Sequence, residues 1–324
     1  MSPKEMSPKK ISAIEFFSGI GAFSLIAKEF DIEILKAYDQ SSDANAVYLN
    51  NFARQPCTRN LDSISASEIP QSDIWWMSPP CKPFTRRGKQ ADLDDSRAKA
   101  LINLLNLLPE KQPKFFAMEN VVGFASSRAE ELLQHTLLSN GYSIQRLQIC
   151  PSSLGIPMQR PRLFYLGSKK KSDELQKRVP LITIEEPTHI FERASSQKNQ
   201  QLAEFIDAVH DDNPHLRLSD AIASRYLDSL NIVDRNDAQA KAICFTSGYA
   251  QSMRTSGSFV LLPDGALRRF SPIEILKLLG FPASFCLLPS MPLSCQFRLI
   301  GNSIELRVLR EVIKHLLNLD RAVD

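Results

Sequence analysis

Two short stretches carry residue types suited to covalent chemistry. In DIWWMSPPCKPFTRRGKQ, residues 73–90, an apolar run stops at Pro79 and Pro80 and is followed at once by Cys81. Most isolated cysteines are small buried hydrophobes, and Cys57, Cys150, Cys286 and Cys295 fit that description. Cys81 differs in its setting: the prolines break a strand and stiffen the approach, and Lys82, Arg86, Arg87 and Lys89 supply positive potential that favours a thiolate. The second stretch, KFFAMENV, residues 114–121, ends in Glu119 and Asn120. A thiolate and a carboxyl group above one sheet edge suit addition to carbon 6 of a pyrimidine: the carboxyl holds or protonates ring nitrogen 3, and carbon 5 becomes nucleophilic.

The elements around these residues explain how they meet. ISAIEFF, residues 11–17, is a short strand that ends in a glycine turn, SGIGAF, and a helical segment. Gly19 and Gly21 let the backbone approach a ligand, Ser24 stands where a dinucleotide fingerprint has its third glycine, and Asp39, 20 residues past Gly19, is placed to hold ribose hydroxyls. ILKAYD, DIWWMS and KFFAMENV each precede a helical pattern, which predicts a doubly wound α/β sheet of the Rossmann type. YSIQRLQI (142–149) and PRLFYLGS (161–168) lie too close for a crossover helix and are expected to form an antiparallel final hairpin. The polar, irregular stretch that follows reads as a small inserted domain. The expected organisation is a loose tail over 1–10, a catalytic domain formed by 11–168 and 266–324, and an insert over 169–265. Ser271 and Glu274 form a capping box with Pro272 at the first helical position, and a last amphipathic helix is expected from near Ser303.

Composition narrows the classes. The 324 residues carry a net charge of +3 and 43% hydrophobic residues, which excludes disorder and permits a polyanionic partner without requiring one. Six cysteines without a C-x-x-C pair, no secretory segment and no apolar span suit a reduced, cytoplasmic compartment and no membrane. None of the five histidines has metal-ligand spacing, so no metal is expected. A zinc deaminase would need a second cysteine that PPCKPF lacks. A dehydrogenase would use the glycine turn but not Cys81 with Glu119, and a simple RNA-binding module would leave the nucleoside pocket unexplained.

FFSGIGAF, SPPC, ENVVGF, RPRLFYL and RLIGNS, in that order, resemble the motifs of the cytosine-5 methyltransferase family. MSPPCKPFTRRGKQADLDDSR, SLGIP and CFTSGY are similar to its transfer-RNA-methylating branch, historically called DNA methyltransferase-2, which acts on cytosine 38 of the aspartate or glutamate tRNA anticodon loop. The resemblance implies S-adenosylmethionine as cofactor, with Phe17, Gly19 and Gly21 lining its pocket, Asp39 on the ribose, Asp62 on the adenine amino group, and Asn302 and Ser303 closing the far side. It implies Cys81 as nucleophile, Glu119 as cytosine anchor, and Arg160 and Arg162 as groups that orient the base and brace the site. Pro80, Lys82 and Arg86 would meet the target nucleotide. Cys244, Phe245 and Thr246 would contribute to substrate binding unless they only end a packed strand, and Lys170 and Arg254 would contact phosphates. The expected partner is tRNA, acted on by a monomer; methylation of duplex DNA is the rival. Two departures stand out: Met158 occupies the glutamine position of the Q-x-R-x-R pattern, and Lys82 replaces the glutamine common after the cysteine.

Overall fold

A computed structural model describes residues 10–84, 92–169, 179–184 and 199–319. The chain alternates strand and helix from its start: β1 (Ser12–Phe16), α1 (Ala22–Glu29), β2 (Glu33–Tyr38), α2 (Ser42–Phe52), β3 (Ile74–Met77), α3 (Lys99–Lys111), β4 (Phe115–Val121), α4 (Arg128–Ser139) and β5 (Tyr142–Ile149). After β6 (Met158–Gln159) come β7 (Arg162–Lys169) and β8 (Leu181–Ile184). The main sheet has the order β2-β1-β3-β4-β7-β5-β8, parallel except for β7, which runs antiparallel to both neighbours.

Alternation along the strands supplies two cores. Ala13, Trp76, Ala117 and Phe164 face one layer of helices, while Ile14, Trp75, Phe116 and Tyr165 face the other. Strands covered on both faces read as unbroken apolar runs, which is why IWWM and FFAM contain no polar alternation.

The C-terminal half holds α5 (Asp220–Tyr226), β9 (Asn231–Asp234), β10 (Ala242–Ile243), β11 (Ser258–Leu261) and β12 (Leu267–Arg269), then α6 (Pro272–Leu278), α7 (Leu293–Gly301) and α8 (Leu306–Asn318). A small sheet, β12-β11-β9, forms the centre of the insert, and β10 pairs separately with β6. Two elements fall outside the expected organisation. Leu181–Ile184 lies within the stretch expected to be insert but pairs with β5, so the antiparallel pair does not form the edge of the main sheet. Leu267–Arg269 lies in the expected catalytic segment but pairs with β11 in the small sheet. Both are short: β8 pairs with a strand about 35 residues earlier, which local pattern cannot signal, and β12 closes a tight hairpin with β11 across the expected domain boundary.

The capping box forms as expected: Ser271 accepts from the Glu274 N–H, and the Glu274 carboxylate accepts from the Ser271 N–H. The last helix starts later than Ser303, because Gly301–Ser303 close α7 and Glu305 caps α8 through the Val308 N–H at 2.7 Å. Leu306, Leu309, Val312, Ile313 and Leu316 are all buried in α8, which packs on α1.

Candidate active site

Strand register brings the reactive residues to one edge. Phe16 pairs with Met77 and Met77 with Met118, so Phe17, the Ser78–Cys81 turn and Glu119 all follow from the carboxyl edge of three parallel neighbours. The reversal of β7 delivers the arginines there: Val121 pairs with Arg162, so the amino end of β7 meets the carboxyl end of β4. A cavity of about 620 Å³ opens at this edge.

At one end of the cavity Cys81, Glu119, Arg160 and Arg162 come together. Asn120 donates to the Pro79 carbonyl at 3.3 Å and so ties the proline turn to β4. Arg162 Nε lies 3.0 Å from Glu119 Oε1. Glu119 is buried, which raises its carboxyl above the usual range, although Arg162 and Arg160 pull it back. Burial likewise raises the Cys81 thiol, with Arg162 the main opposing charge. The guanidinium groups of Arg162 and Arg160 thus act on the thiol from across the chain, in addition to the basic residues expected after it, of which Lys82 is exposed at the cavity wall. Arg86, Arg87 and Lys89 lie outside the described residues.

Arg160 braces the site. Its guanidinium donates to the Phe245 carbonyl at 2.7 Å, the Gly301 carbonyl at 3.0 Å and the Ser303 carbonyl, joining three distant segments. The seam is tight: a Cβ on Gly301 would lie 2.3 Å from the Thr246 carbonyl carbon.

The other end of the cavity is lined by Phe17, Gly19, Asp39, Asp62, Asn302 and Ser303. Phe17 and Gly19 have left-handed φ values of 57° and 53°, and Asp39 fixes this turn by accepting from the Gly19 N–H at 2.8 Å while also accepting from the Ser41 N–H. Ser18 Oγ and Ser303 Oγ are buried on the cavity wall without hydrogen-bond partners. Glu15, also on the wall, accepts from two hydroxyls, Ser24 at 2.6 Å and Tyr48 at 3.0 Å, and from the Ser24 backbone. Burial pushes its carboxyl up to about 7. Unpartnered hydroxyls beside the Glu15, Asp39 and Asp62 carboxylates suit a ligand with both hydrogen-bonding groups and positive charge, and S-adenosylmethionine has both.

Several expected contacts are not made. Gly21 caps α1 with φ 91° and faces Phe52, where a Cβ would come within 2.3 Å of the ring; it is a packing residue, not a wall of the cavity. Phe245 is buried against Tyr249 and Phe270, with ring centroids 5.0 and 5.1 Å away. Thr246 accepts from the Tyr249 N–H and abuts Gly301, and it is Ser247 that reaches the cavity. Cys244 sits behind the arginines, 3.0 Å from Arg160 Nη1; burial opposes its ionisation, but Arg160 and Arg162 outweigh that and lower its pKa. Cys244 and the Phe245 carbonyl therefore support Arg160, and Thr246 packs on Gly301 beside it. Pro80 and Lys82 line the cavity, Arg254 is exposed away from it, and Lys170 lies outside the described residues. Sequence reasoning missed Glu15, a lone acid in an otherwise apolar strand, and Arg97, which lines the cavity and whose charge is sustained by Asp95 and then by Cys81. Among the described residues no cluster could hold a metal ion, and no helix is long and apolar enough to cross a membrane.

Comparison with known proteins agrees with this geometry. The chain matches the C-5 cytosine-specific DNA methylase family over residues 11–318. It is 28% identical to a human tRNA (cytosine(38)-C(5))-methyltransferase across 96% of this chain and 100% of that protein. It is 27% identical to a DNA (cytosine-5)-methyltransferase of Dictyostelium discoideum, covering 96% and 95% respectively. The crystal structure of the Schizosaccharomyces pombe Dnmt2 methyltransferase superposes with a TM-score of 0.83 at 25% identity, covering 96% of this chain and 99% of that one. With the family matched over nearly its whole length and the thiol, carboxyl and arginines on one sheet edge, this chain belongs to the C-5 cytosine methyltransferases.

Proposed function

We propose that the protein methylates carbon 5 of a cytosine in RNA, specifically cytosine 38 of a tRNA anticodon loop, using S-adenosylmethionine. The observation that carries this reading is the meeting of Cys81, Glu119 and Arg162 in the cavity that also holds the carboxylate-lined end.

When bound, S-adenosylmethionine supplies an electrophilic methyl group; Phe17, Asp39, Asp62 and Asn302, with Glu15 and Ser303, would hold it. The chain does the rest. Cys81, once deprotonated, forms a bond to cytosine carbon 6, and the electron pair displaced from the ring double bond makes carbon 5 nucleophilic. Glu119 donates to ring nitrogen 3, a role helped by burial, which raises its carboxyl above the usual range. Arg162 orients Glu119, and Arg160 holds the wall on which both depend. With the methyl group on carbon 5, loss of the carbon 5 proton to solvent and return of the nitrogen 3 proton to Glu119 re-form the ring double bond and expel the Cys81 sulfur as thiolate.

A tRNA substrate is favoured by the curated relative in humans, whose name specifies that reaction. An anticodon loop also presents an unpaired base, which lowers the extrusion penalty by a few kcal/mol relative to a duplex. The small sheet is correspondingly modest, with strands of three or four residues. Duplex DNA remains the second reading, supported by the name of the Dictyostelium relative. Incubation with labelled S-adenosylmethionine and total tRNA, followed by bisulfite sequencing, should place 5-methylcytosine at position 38. Robust methylation of mixed-sequence duplex DNA with none in tRNA would reject the RNA assignment and leave the Cys81 chemistry standing.

A further inference from the structure

The chain on either side of residues 85–91 is fastened to the same turn, the one that starts α4. On the near side, the Phe84 N–H donates to the Cys81 carbonyl at 2.9 Å, and the Phe84 ring packs edge-on against Phe124 at 4.7 Å. Phe124 packs in turn on Tyr165, whose hydroxyl donates to Glu130 of α4 at 2.5 Å. On the far side stands Asp92, a non-glycine residue held in the left-handed region at φ 51°. Its carboxylate accepts from the Arg128 N–H at 2.6 Å and the Ala129 N–H at 3.1 Å. These are the first two amides of α4, which have no acceptor within the helix. The cap of the helix itself, Ser127, serves a different amide, that of Glu130.

From Asp92 the connection runs back to the cavity. The Asp92 carbonyl accepts from the Asp95 N–H at 3.2 Å. Asp95 accepts from the Arg97 backbone N–H at 3.0 Å and from its Nε at 2.8 Å, which fixes the guanidinium. Arg97 lines the cavity and lies close enough to Cys81 to sense its charge.

We propose that Asp92 is a positioning residue: by docking on the first turn of α4 it holds the Asp95 turn and, through it, Arg97 on the wall of the cavity that contains Cys81, without touching substrate. This builds on the assignment of Cys81 as nucleophile, and its test has a readout that needs no nucleic acid. In Asp92→Ala, kcat for methyl transfer should fall at least tenfold while S-adenosylmethionine affinity stays within twofold. Alkylation of Cys81 by iodoacetamide at pH 8, followed by peptide mass spectrometry, should slow at least threefold in the free protein as Arg97 loses its fixed place. Asp92→Asn keeps one acceptor and should recover part of both rates. Asp94→Ala removes an equal charge and only the exposed 3.2 Å pair with Arg128; it should behave as wild type. A fall in melting temperature with kcat and alkylation unchanged would reduce Asp92 to a helix cap and overturn the proposal, as would a matching loss in Asp94→Ala. Should the wild-type protein methylate no tRNA, the substrate assignment fails, whereas the alkylation rates still decide the role of Asp92.

Discussion

The two ends of the cavity differ in their polar groups, although Arg59 and Arg298 also line it. One presents carboxylates and hydroxyls: Glu15, Asp39 and Asp62 with Ser18 and Ser303. The other sets Arg97, Arg160 and Arg162 around one thiol and one buried carboxyl. The difference matches what each end would receive. A sulfonium cofactor with an ammonium group brings positive charge to the acidic end, and a nucleotide brings phosphate to the arginine end. A cavity of one polarity would attract one reactant and repel the other.

The contrast can be broken most severely at the arginine end. Cys81→Ala should abolish methyl transfer and the denaturant-stable adduct with 5-fluorocytosine RNA, with cofactor affinity unchanged; Cys286→Ser should leave the adduct intact. Next in size, Glu119→Gln retains a hydrogen-bond donor but cannot exchange a proton, and kcat should fall by ~10² or more. A large loss of S-adenosylmethionine binding in that variant would move Glu119 to the other end of the cavity.

The smallest effect on activity, and the sharpest on the contrast, concerns Glu15. Its carboxyl is raised from 4.5 to about 7 by burial. A group with a raised folded-state pKa contributes stability below its unfolded value and loses it as pH climbs through the folded one. For Glu15 that window runs from 4.5 through about 7, and the loss amounts to about 3 kcal/mol. Urea unfolding of the cofactor-free protein should therefore show Glu15→Gln matching the wild type at pH 4 and exceeding it by about that amount at pH 8. Equal stability of the two proteins at both pH values would show that Glu15 ionises freely.

Sequence made the sheet and its reactive edge legible because both rest on local signals. Apolar runs ended by Gly19, Pro79 or Asn120 mark strand termini, and strand termini are where this architecture places its chemistry. Antiparallel pairing of the two late strands followed from the short connection between them. What could not be read depends on contacts across the chain. Phe245 looked available for substrate, but its neighbours Tyr249 and Phe270 enclose it. Sequence pointed to the basic residues next to Cys81, and it could not show that the strand reversal adds Arg162 from 81 positions away. Glu15 could not be placed because a lone acid in a strand gives no sign of the hydroxyls that Ser24 and Tyr48 bring to it.

The bracing of Arg160 also bears on how the protein is made. A buried guanidinium is costly until its acceptors are in place, and two of the three carbonyls it uses, those of Gly301 and Ser303, are synthesised more than 140 residues later. The first strands can pair as they leave the ribosome, but the reactive edge cannot close until the segment carrying Gly301 and Ser303 has emerged. A nascent chain halted before α7 would hold Cys81 without the carbonyls that fix Arg160, so the N-terminal strands can form long before the site they frame is complete.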